Sequence, residues 1–395
     1  MNFKFKEDKT LNNYTKNNQV ELVAGGKKYF DLLLSLIQNA KKSIHLQTYI
    51  FANDETGVLV ANALKSAAMR GVQVYLLVDG YASKNLTSSF TNHLQTAGIN
   101  FRFFEPIFKS SHFYFGRRLH HKVIVIDVKY GLIGGLNVAN HYNDMPKNPS
   151  WLDFAVLVEG EIVQQLCTLC WKTWNGFTAN TTLFKCENDS NIQQFSAEKQ
   201  VNIKMIRNDW VRGKNEISKS YLSMFQSSKS EITILCSYFF PGIKIRRQMV
   251  KAAKRGVKIK VIVAGLSDVL VAKYAERWLY DWLLRNKIEI YEYQKNILHA
   301  KVAVCDDNWM TIGSYNINDI SAYASIELNL ELQNAAFCKE VRQTMDKIIA
   351  TDCVEITAEH SLKTNTIYRR LVYWLAYRCT RILFYMFTFY FKKQR

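Results

Sequence analysis

The chain has 395 residues, of which 52 are Lys or Arg and 34 are Asp or Glu, so its formal net charge is +18. Apolar residues make up 48% of the sequence and charged residues 22%, which excludes a disordered chain, collagen and a coiled coil, and the length predicts two domains or one large duplicated unit. The positive charge predicts an anionic partner, and a nucleic acid, a membrane surface or a phosphate-bearing substrate would each satisfy it.

The N-terminal segment is polar and mixed in charge, and residues 1–18 lack the apolar stretch of a secretory signal peptide. We therefore expect a reducing compartment in which the eight cysteines stay free. The one CxxC pair, Cys167 and Cys170, falls in a helical pattern over residues 161–174. This placement indicates two positions on one helix face rather than half of a zinc site.

Two similar segments, one in each half of the chain, predict the same order of elements. In the first half, residues 40–51 predict a helix end and a strand, and residues 59–80 predict an amphipathic helix, a glycine and a buried strand. In the second half, residues 228–241 and 245–265 repeat this order. Strands that alternate with helices predict an α/β architecture with a largely parallel or mixed sheet.

Two polar stretches indicate the domain boundaries. Residues 175–200 are predicted to link the halves, and residues 357–366 precede the C-terminal tail. We therefore predict a first domain over residues 1–185, a second domain over residues 200–362 and a tail over residues 363–395.

One pattern of chemically active residues occurs in both halves. Each copy has a His and a Lys two positions apart, an Asp five positions after the Lys, and an Asn that follows a pair of small residues. The first copy consists of His120, Lys122, Asp127, Gly134, Gly135 and Asn137. The second copy consists of His299, Lys301, Asp306, Gly313, Ser314 and Asn316. Every corresponding position is offset by 179 residues, and the repetition of the whole pattern makes a chance match negligible.

These residue types suit a phosphate group. Side chains two positions apart on a strand point to the same face, so each His projects together with its Lys. A lysine can neutralise phosphate oxygens, an imidazole can attack phosphorus or transfer a proton, and an Asn can donate hydrogen bonds. We expect each Asp to orient an imidazole by hydrogen bonding and so to fix its tautomer. His121 would point to the opposite face from His120 and is predicted to be structural.

The doubled pattern resembles the signature of the phospholipase D superfamily, HxK(x)₄D(x)₆G[GS]xN, and the resemblance covers about residues 18–350. Residues 44–57 resemble that family's first strand. Residues 151–160 resemble the Trp-x-Asp strand of its bacterial cardiolipin synthase branch, and residues 321–332 resemble the segment after the second motif, with Glu327 in a usual polar position. The common form of that branch has two N-terminal membrane spans, and this chain resembles the shorter form without them.

This resemblance implies two tandem phospholipase D-like α/β sandwich domains with pseudo-twofold symmetry and a single active site. One His would form a phosphohistidine, and the other would protonate the leaving alcohol and deprotonate the acceptor. By resemblance we assign His120 as the nucleophile and His299 as the acid–base residue, and the sequence is also compatible with the reverse. The two Lys and two Asn of the motifs would hold the transition-state charge without a metal or another cofactor. Gly135, Ser314 and Glu327 would support the site.

The tail over residues 367–395 carries seven Lys or Arg, ten aromatic residues and no acid. Arg378 and Arg381 lie near the middle of the apolar run over residues 371–391, which makes a membrane-spanning helix costly. We therefore expect a helix that lies in the headgroup region of an anionic membrane. The alternative is a last helix packed on the second domain.

The resemblance and the tail together predict a cardiolipin synthase-type phosphatidyltransferase at the cytoplasmic face of the cell membrane, bound peripherally or monotopically. It would transfer a phosphatidyl group from phosphatidylglycerol to another phospholipid alcohol. A hydrolytic phospholipase D or a nuclease would use the same residues, whereas a non-catalytic binder would not need the intact double motif. Anionic phospholipid is the expected partner, and we expect no nucleic-acid partner. The duplication supplies both histidines, so the chemistry requires no oligomer.

Overall fold

The structure is a computed structural model of the chain, and it describes residues 14–105, 117–177, 186, 194–359 and 366–392, with side chains through residue 386. Much of the predicted linker over residues 175–200 lies outside these residues. The predicted domain ends at residues 185, 362 and 363 also lie outside them, so the domain boundaries stay a prediction.

The first half forms a mixed sheet of seven strands in the spatial order β1-β8-β7-β6-β2-β3-β4. Its strands are β1 (Asn18–Ala24), β2 (Ser43–Thr48), β3 (Gln73–Asp79), β4 (Asn100–Phe104), β6 (Val123–Ile126), β7 (Tyr130–Gly134) and β8 (Phe154–Gly160). Strands β2, β3 and β4 are parallel to one another, and the remaining pairs are antiparallel. The sheet is therefore mixed, as the alternating helices and strands predicted.

The second half repeats this arrangement in the order β10-β9-β16-β15-β14-β11-β12-β13-β17. Its strands are β9 (Asn202–Asp209), β10 (Lys214–Asn215), β11 (Glu231–Cys236), β12 (Lys258–Leu266), β13 (Glu289–Ile297), β14 (Lys301–Cys305), β15 (Trp309–Gly313), β16 (Ser325–Gln333) and β17 (Cys353–Glu355). Strands β11, β12 and β13 are parallel, like β2, β3 and β4 in the first sheet. A short strand of the first half, β5 (Arg118–Leu119), pairs with β16 and so crosses between the halves.

Helices connect and cover the strands. They are α1 (Lys27–Asn39), α2 (Glu55–Met69), α3 (Ser88–Thr96), α4 (Glu161–Trp174), α5 (Glu216–Ser227), α6 (Ile243–Lys254), α7 (Leu270–Arg277), α8 (Tyr280–Arg285), α9 (Asp319–Tyr323), α10 (Ala335–Asp352) and α11 (Ile367–Lys392). Asp54 caps the N-terminus of helix α2, where its carboxylate accepts the N–H of Gly57. The chain leaves α2 and α6 through Gly71 and Gly256 at φ +89° and +93°, a backbone conformation that favours glycine. The predicted order of helix, glycine and strand is confirmed in both halves.

Among the described residues four apolar clusters occur, and the three largest hold the sheets and their helices together. A central core lies between the two sheets and includes residues of β8, β16, α4 and α10, for example Val156, Leu330, Leu166 and Val341. The outer face of the first sheet packs against α1, α2 and α3, and the outer face of the second packs against α5 and α6. The predicted pair of α/β sandwich units is confirmed, and the central core fixes one against the other.

Helix α11 packs on the second half along α7 and α9. Its inward residues recur every three or four positions, and they are Tyr373, Tyr377, Thr380 and Phe384. The Tyr373 ring lies 5.7 Å from that of Tyr274, and the Phe384 ring lies 5.9 Å from that of Phe240. The tail is therefore a last helix packed on the second half, which is the alternative that the sequence left open.

The opposite face of α11 is apolar and exposed. Leu371, Leu375, Ile382 and Met386 follow a helical spacing and are 47–61% exposed. In the part of the chain that the structure describes, no helix is long and apolar enough to cross a membrane. Membrane contact therefore stays a prediction, and it concerns the outward face of α11.

One pair of cysteines differs from the expectation of free thiols. Cys167 of α4 forms a disulfide bond with Cys186, and their Cα atoms lie 6.0 Å apart, a usual separation for such a bond. The expectation is therefore wrong for this pair, and the sequence does not indicate that a residue 19 positions away packs against α4. Cys170 lies on the same helix, as predicted, and is buried and free.

Candidate active site

The two motifs meet where the halves join, and the backbone of each half holds the histidine of the other. His120 follows β5, and its N–H donates to the carbonyl oxygen of Ile326 at 3.0 Å. His299 precedes β14, and its N–H donates to the carbonyl oxygen of Leu152 at 2.8 Å. The structure thus brings the histidines of both motifs to one site, as the sequence predicted.

Each imidazole is also hydrogen-bonded to a carboxylate of the opposite half. His120 Nδ1 lies 2.9 Å from Glu327 Oε2, and His299 Nδ1 lies 2.6 Å from Asp153 Oδ2. Both carboxylates are buried. A carboxylate at Nδ1 favours the tautomer with its proton there, which places the lone pair of each imidazole on Nε2. Each half therefore orients the imidazole of the other.

Asp127 and Asp306 do not contact the imidazoles, so the prediction that they orient them is wrong. Asp127 accepts the backbone N–H groups of residues 41–43 at 2.7–2.9 Å, just before β2. Asp306 accepts those of residues 229–231 at 2.8–3.1 Å, just before β11. Each Asp lies at the far end of a strand that rises about 3.3 Å per residue from its His, so it is out of reach. These carboxylates instead connect the turns of the β6–β7 and β14–β15 hairpins to the starts of β2 and β11 by hydrogen bonds.

Lys122 and Lys301 are buried beside the histidines. Lys122 Nζ donates to the carbonyl oxygen of His120 at 2.5 Å, and Lys301 Nζ donates to that of His299. Burial lowers the pKa of Lys122 to about 7 and also lowers the pKa of Lys301. An anion between the two ammonium groups would favour their charged form. The lysines are therefore suited to bind a phosphate group.

The two asparagines of the motifs are buried and already partly paired. Asn137 Nδ2 donates to the hydroxyl of Tyr142 at 2.7 Å, and this hydroxyl lies 3.4 Å from His299 Nε2. Asn316 Oδ1 accepts the hydroxyl of Ser237 at 2.7 Å. Direct donation from either Asn to phosphate stays a prediction. The structure adds Tyr142 to the site, and nothing in the sequence pattern indicated this residue.

The two copies differ at Gly135 and Ser314, and the difference matches the carboxylate that each faces. A Cβ atom at Gly135 would lie 2.4 Å from Asp153 Oδ1, so only glycine leaves room for that carboxylate. Ser314 donates its hydroxyl hydrogen to Glu327 Oε2 at 2.5 Å. The predicted supporting residues thus lie next to the acids that hold the imidazoles.

The sequence pattern predicted the position of His121 correctly but did not indicate the contact that Asp153 makes. His121 is buried, and its Nε2 lies 2.9 Å from Gln47 Oε1, which confirms the structural position predicted for it. In the sequence, Asp153 was noticeable only as the acid of the Trp-x-Asp segment, and no role was predicted for it. Its contact with His299 joins residues of opposite halves, and no spacing along the chain indicates such a contact.

The electrostatics of the site keep both imidazoles neutral near pH 7. Burial lowers the pKa of His120, and the Glu327 carboxylate opposes this effect. Burial, Lys301 and Lys122 lower the pKa of His299, and burial raises the pKa of Asp153 to about 6. A neutral imidazole can attack phosphorus, and the charge of a bound phosphodiester favours protonation of the second imidazole. The site therefore has the parts for a two-step transfer of a phosphoryl-linked group.

Replacing Lys122 by Met should stabilise the fold while it abolishes activity. The folded pKa of about 7 lies below the usual value of 10.5, so between these pH values the unfolded chain binds more protons. Stability of the unsubstituted protein therefore rises with pH across this window, and the variant lacks that rise. Thermal unfolding should show a gain on the order of 5 kcal/mol for Lys122→Met below pH 7, closing toward pH 10.5, because each pH unit between the two pKa values corresponds to about 1.4 kcal/mol. The exposed Lys251→Met serves as the control, and a gain that does not change with pH would contradict the prediction.

Comparison with known proteins agrees with this geometry. A family model described as "Cardiolipin synthase, PLD-like domain" matches residues 33–168 and 221–349. The chain is 32% identical to cardiolipin synthase B of Escherichia coli (strain K12) over 87% of this chain and 83% of that protein. It is 28% identical to cardiolipin synthase 1 of Bacillus anthracis over 89% of this chain and 69% of that protein.

Two solved structures have a similar fold. Phosphatidylserine synthase of Haemophilus influenzae Rd KW20 matches with a TM-score of 0.73 and 15% identity, over 95% of this chain and 96% of that chain. Polyphosphate kinase from Porphyromonas gingivalis matches with a TM-score of 0.60 and 12% identity, over 93% of this chain and 53% of that chain. Both likenesses concern the fold.

Two α/β units that bring a His–Lys pair each to one site define a phospholipase D-like protein. Within that class, the chain belongs to the cardiolipin synthase family. It is a phosphatidyltransferase, as the doubled motif predicted.

Proposed function

We propose that the protein transfers a phosphatidyl group from phosphatidylglycerol to the free alcohol of a second phospholipid and releases glycerol. The observation that carries this proposal is the pair of imidazoles, each held at Nδ1 by a buried carboxylate. Two buried lysines beside them suit a phosphodiester. Membership of the cardiolipin synthase family supports a lipid as both donor and acceptor.

In the first step, His120 Nε2 attacks phosphorus, and the bond from phosphorus to the glycerol oxygen breaks. His299 gives its Nε2 proton to that oxygen, so glycerol leaves as a neutral alcohol. Glu327 stabilises the positive imidazole ring that forms at His120, and Lys122 and Lys301 hold the non-bridging oxygens.

In the second step, the acceptor alcohol gives its proton to His299 Nε2 and attacks phosphorus. The bond from phosphorus to His120 Nε2 breaks, and the electron pair returns to the imidazole. Both histidines are then in their starting states. The side chain of His120 is 17% exposed and that of His299 is 9% exposed, which supports His120 as the group that approaches phosphorus.

The test uses purified full-length protein and vesicles of radiolabelled phosphatidylglycerol. Labelled cardiolipin and free glycerol in equal amounts are the expected products. Phosphatidic acid as the sole lipid product would mean that water is the acceptor and would replace the proposal with a phospholipase D activity. Cleavage of DNA without lipid turnover would replace it with a nuclease activity.

We also propose that the protein works at the cytoplasmic face of the cell membrane, with the outward face of α11 in the headgroup region. The exposed apolar residues of that face, together with Arg378 between them, support this placement. The predicted tail over residues 363–395 would then have two roles, since its inward face packs on the second half.

The variant Leu375→Gln/Ile382→Gln should bind vesicles that contain phosphatidylglycerol roughly tenfold more weakly, because it removes apolar area from the outward face. Neither side chain belongs to the inward face, so thermal stability and activity on a soluble phosphodiester should stay unchanged. Vesicle cosedimentation measures the binding. The matched control is Val58→Gln/Leu59→Gln on α2, two similarly exposed apolar residues of the first half. Equal loss in both variants would contradict the proposed role of α11.

A further inference from the structure

A cavity of about 360 Å³ lies between α11 and the second half. Its walls come from α5, the first turn of α6, α9 and the inward face of α11. None of the histidines, lysines or carboxylates of the active site lines it. Tyr315 forms part of the wall and lies between Ser314 and Asn316 of the second motif, whose side chains face Glu327 and Ser237. The cavity is therefore a separate space behind the turn of the second motif.

The interior of this cavity is apolar. Phe240, Ile245 and Leu279 line it and are buried, and the rings of Tyr377 and Phe384 close it from the side of α11. Its volume falls in the range of roughly 300–1,000 Å³ that small-molecule sites occupy. An apolar space of this kind suits a hydrocarbon chain, because burial of each methylene group is favourable.

Three cationic side chains line the same cavity, namely Lys244, Arg246 and Arg381. Among the described residues of the lining, Asp319 is the one acid. Among the described residues, none of the three cations forms a salt bridge; Arg246 lies over the ring of Trp282 and Arg381 over that of Tyr377. They lie at the surface, where Lys244 and Arg381 are exposed and Arg246 is half-buried. The cavity thus combines an apolar interior with positively charged groups on its solvent side.

We propose that this cavity binds one molecule of anionic phospholipid. An acyl chain would occupy the apolar interior, and the phosphate would contact Lys244, Arg246 and Arg381. The excess of cations favours a lipid with net negative charge, because the amine of a zwitterionic headgroup would meet the same cations. Bound lipid would join α11 to α6 and α9 and so fix the helix whose outward face we place on the membrane.

The proposal is tested with phosphatidylglycerol that carries a photoreactive diazirine at the end of one acyl chain, diluted in phosphatidylcholine vesicles. After illumination of the full-length protein, mass spectrometry locates the crosslinks. We expect them on residues 240–246 and 315–323 and on the inward residues Tyr377, Thr380 and Phe384, and not with the same diazirine on phosphatidylcholine. This readout does not depend on turnover, so it is separate from the test of the transferase activity.

Two variants test the site itself. Ala322→Phe fills the cavity, and Lys244→Gln/Arg246→Gln removes two of its cations. Each should lower crosslinking at these segments, and the double variant should lower it by more than about tenfold, since each basic residue near an anionic lipid contributes roughly fivefold. Lys251→Gln/Lys254→Gln removes the same charge from the other end of α6 and should change nothing. Crosslinking that survives both lining variants, or that is equal with phosphatidylcholine, would overturn the proposal. If Ala322→Phe does not fold, the charge variants alone decide.

Discussion

His120→Ala and His299→Ala should each lower the turnover of phosphatidylglycerol by roughly 10³-fold or more, with no loss of fold. His120 supplies the bond to phosphorus and His299 supplies the proton, so neither step proceeds without both groups. Because they act as a unit, the double variant should be little worse than either single one. Product formation from labelled vesicles measures the effect, and thermal unfolding controls for the fold. Substantial activity in either variant would refute the assignment of that residue.

A substrate with a better leaving group separates the two roles. In a phosphatidyl ester of p-nitrophenol, the leaving oxygen does not need a proton. His299→Ala should then release about one equivalent of p-nitrophenol per enzyme in a rapid burst and keep a phosphatidyl group on His120. His120→Ala should give no burst. The reverse pattern would exchange the two roles, which the sequence alone also allows.

Asp153→Asn should lower kcat by roughly 10²–10⁴-fold, although the residue does not touch the substrate. The carboxylate holds His299 at Nδ1 and stabilises its protonated form, whereas an amide can donate to Nδ1 and favour the wrong tautomer. Burial raises the pKa of Asp153 to about 6, so activity of the unsubstituted protein should fall as the pH drops through this value. That limb of the pH profile should be absent from the variant, and its persistence would contradict the positioning role.

Asp127→Asn is the informative control for this prediction. Its carboxylate accepts backbone N–H groups before β2, so the substitution should cost about 1–3 kcal/mol of stability and leave kcat of the folded protein near that of the unsubstituted one. Loss of kcat in Asp127→Asn with unchanged stability would restore the role that the motif alone suggested.

The sequence predicted much of the fold because each half repeats the same local signals. Helices that end at Gly71 and Gly256 before buried strands were visible as patterns, and they set the parallel part of each sheet. The His and Lys residues of both motifs were identified correctly as neighbours in one site. The motif can be recognised in the sequence because one strand and one turn separate its residues, and this keeps their spacing the same in both copies.

The contacts that complete the site were not visible in this way. The spacing from His120 to Asp127 equals the length of a strand and its turn. It does not indicate which side chains are in contact. The pairs His120–Glu327 and His299–Asp153 depend on how β8 and β16 lie against the opposite half, which only the tertiary packing determines. The tail was ambiguous for a similar reason, because one helix has an inward face for the protein and an outward face of apolar residues.

Each half supplies the carboxylate that is hydrogen-bonded to the histidine of the other half, so neither half holds a complete His–acid pair. A fragment that contains His120 lacks Glu327, and a fragment that contains His299 lacks Asp153, so each fragment carries a reactive imidazole without the acid that directs it. A substitution of either carboxylate therefore acts on the histidine of the opposite half, so the two halves cannot be varied independently at this site. Gly135 and Ser314 belong to the same arrangement, because each lies beside the carboxylate that its own half supplies to the histidine of the opposite half.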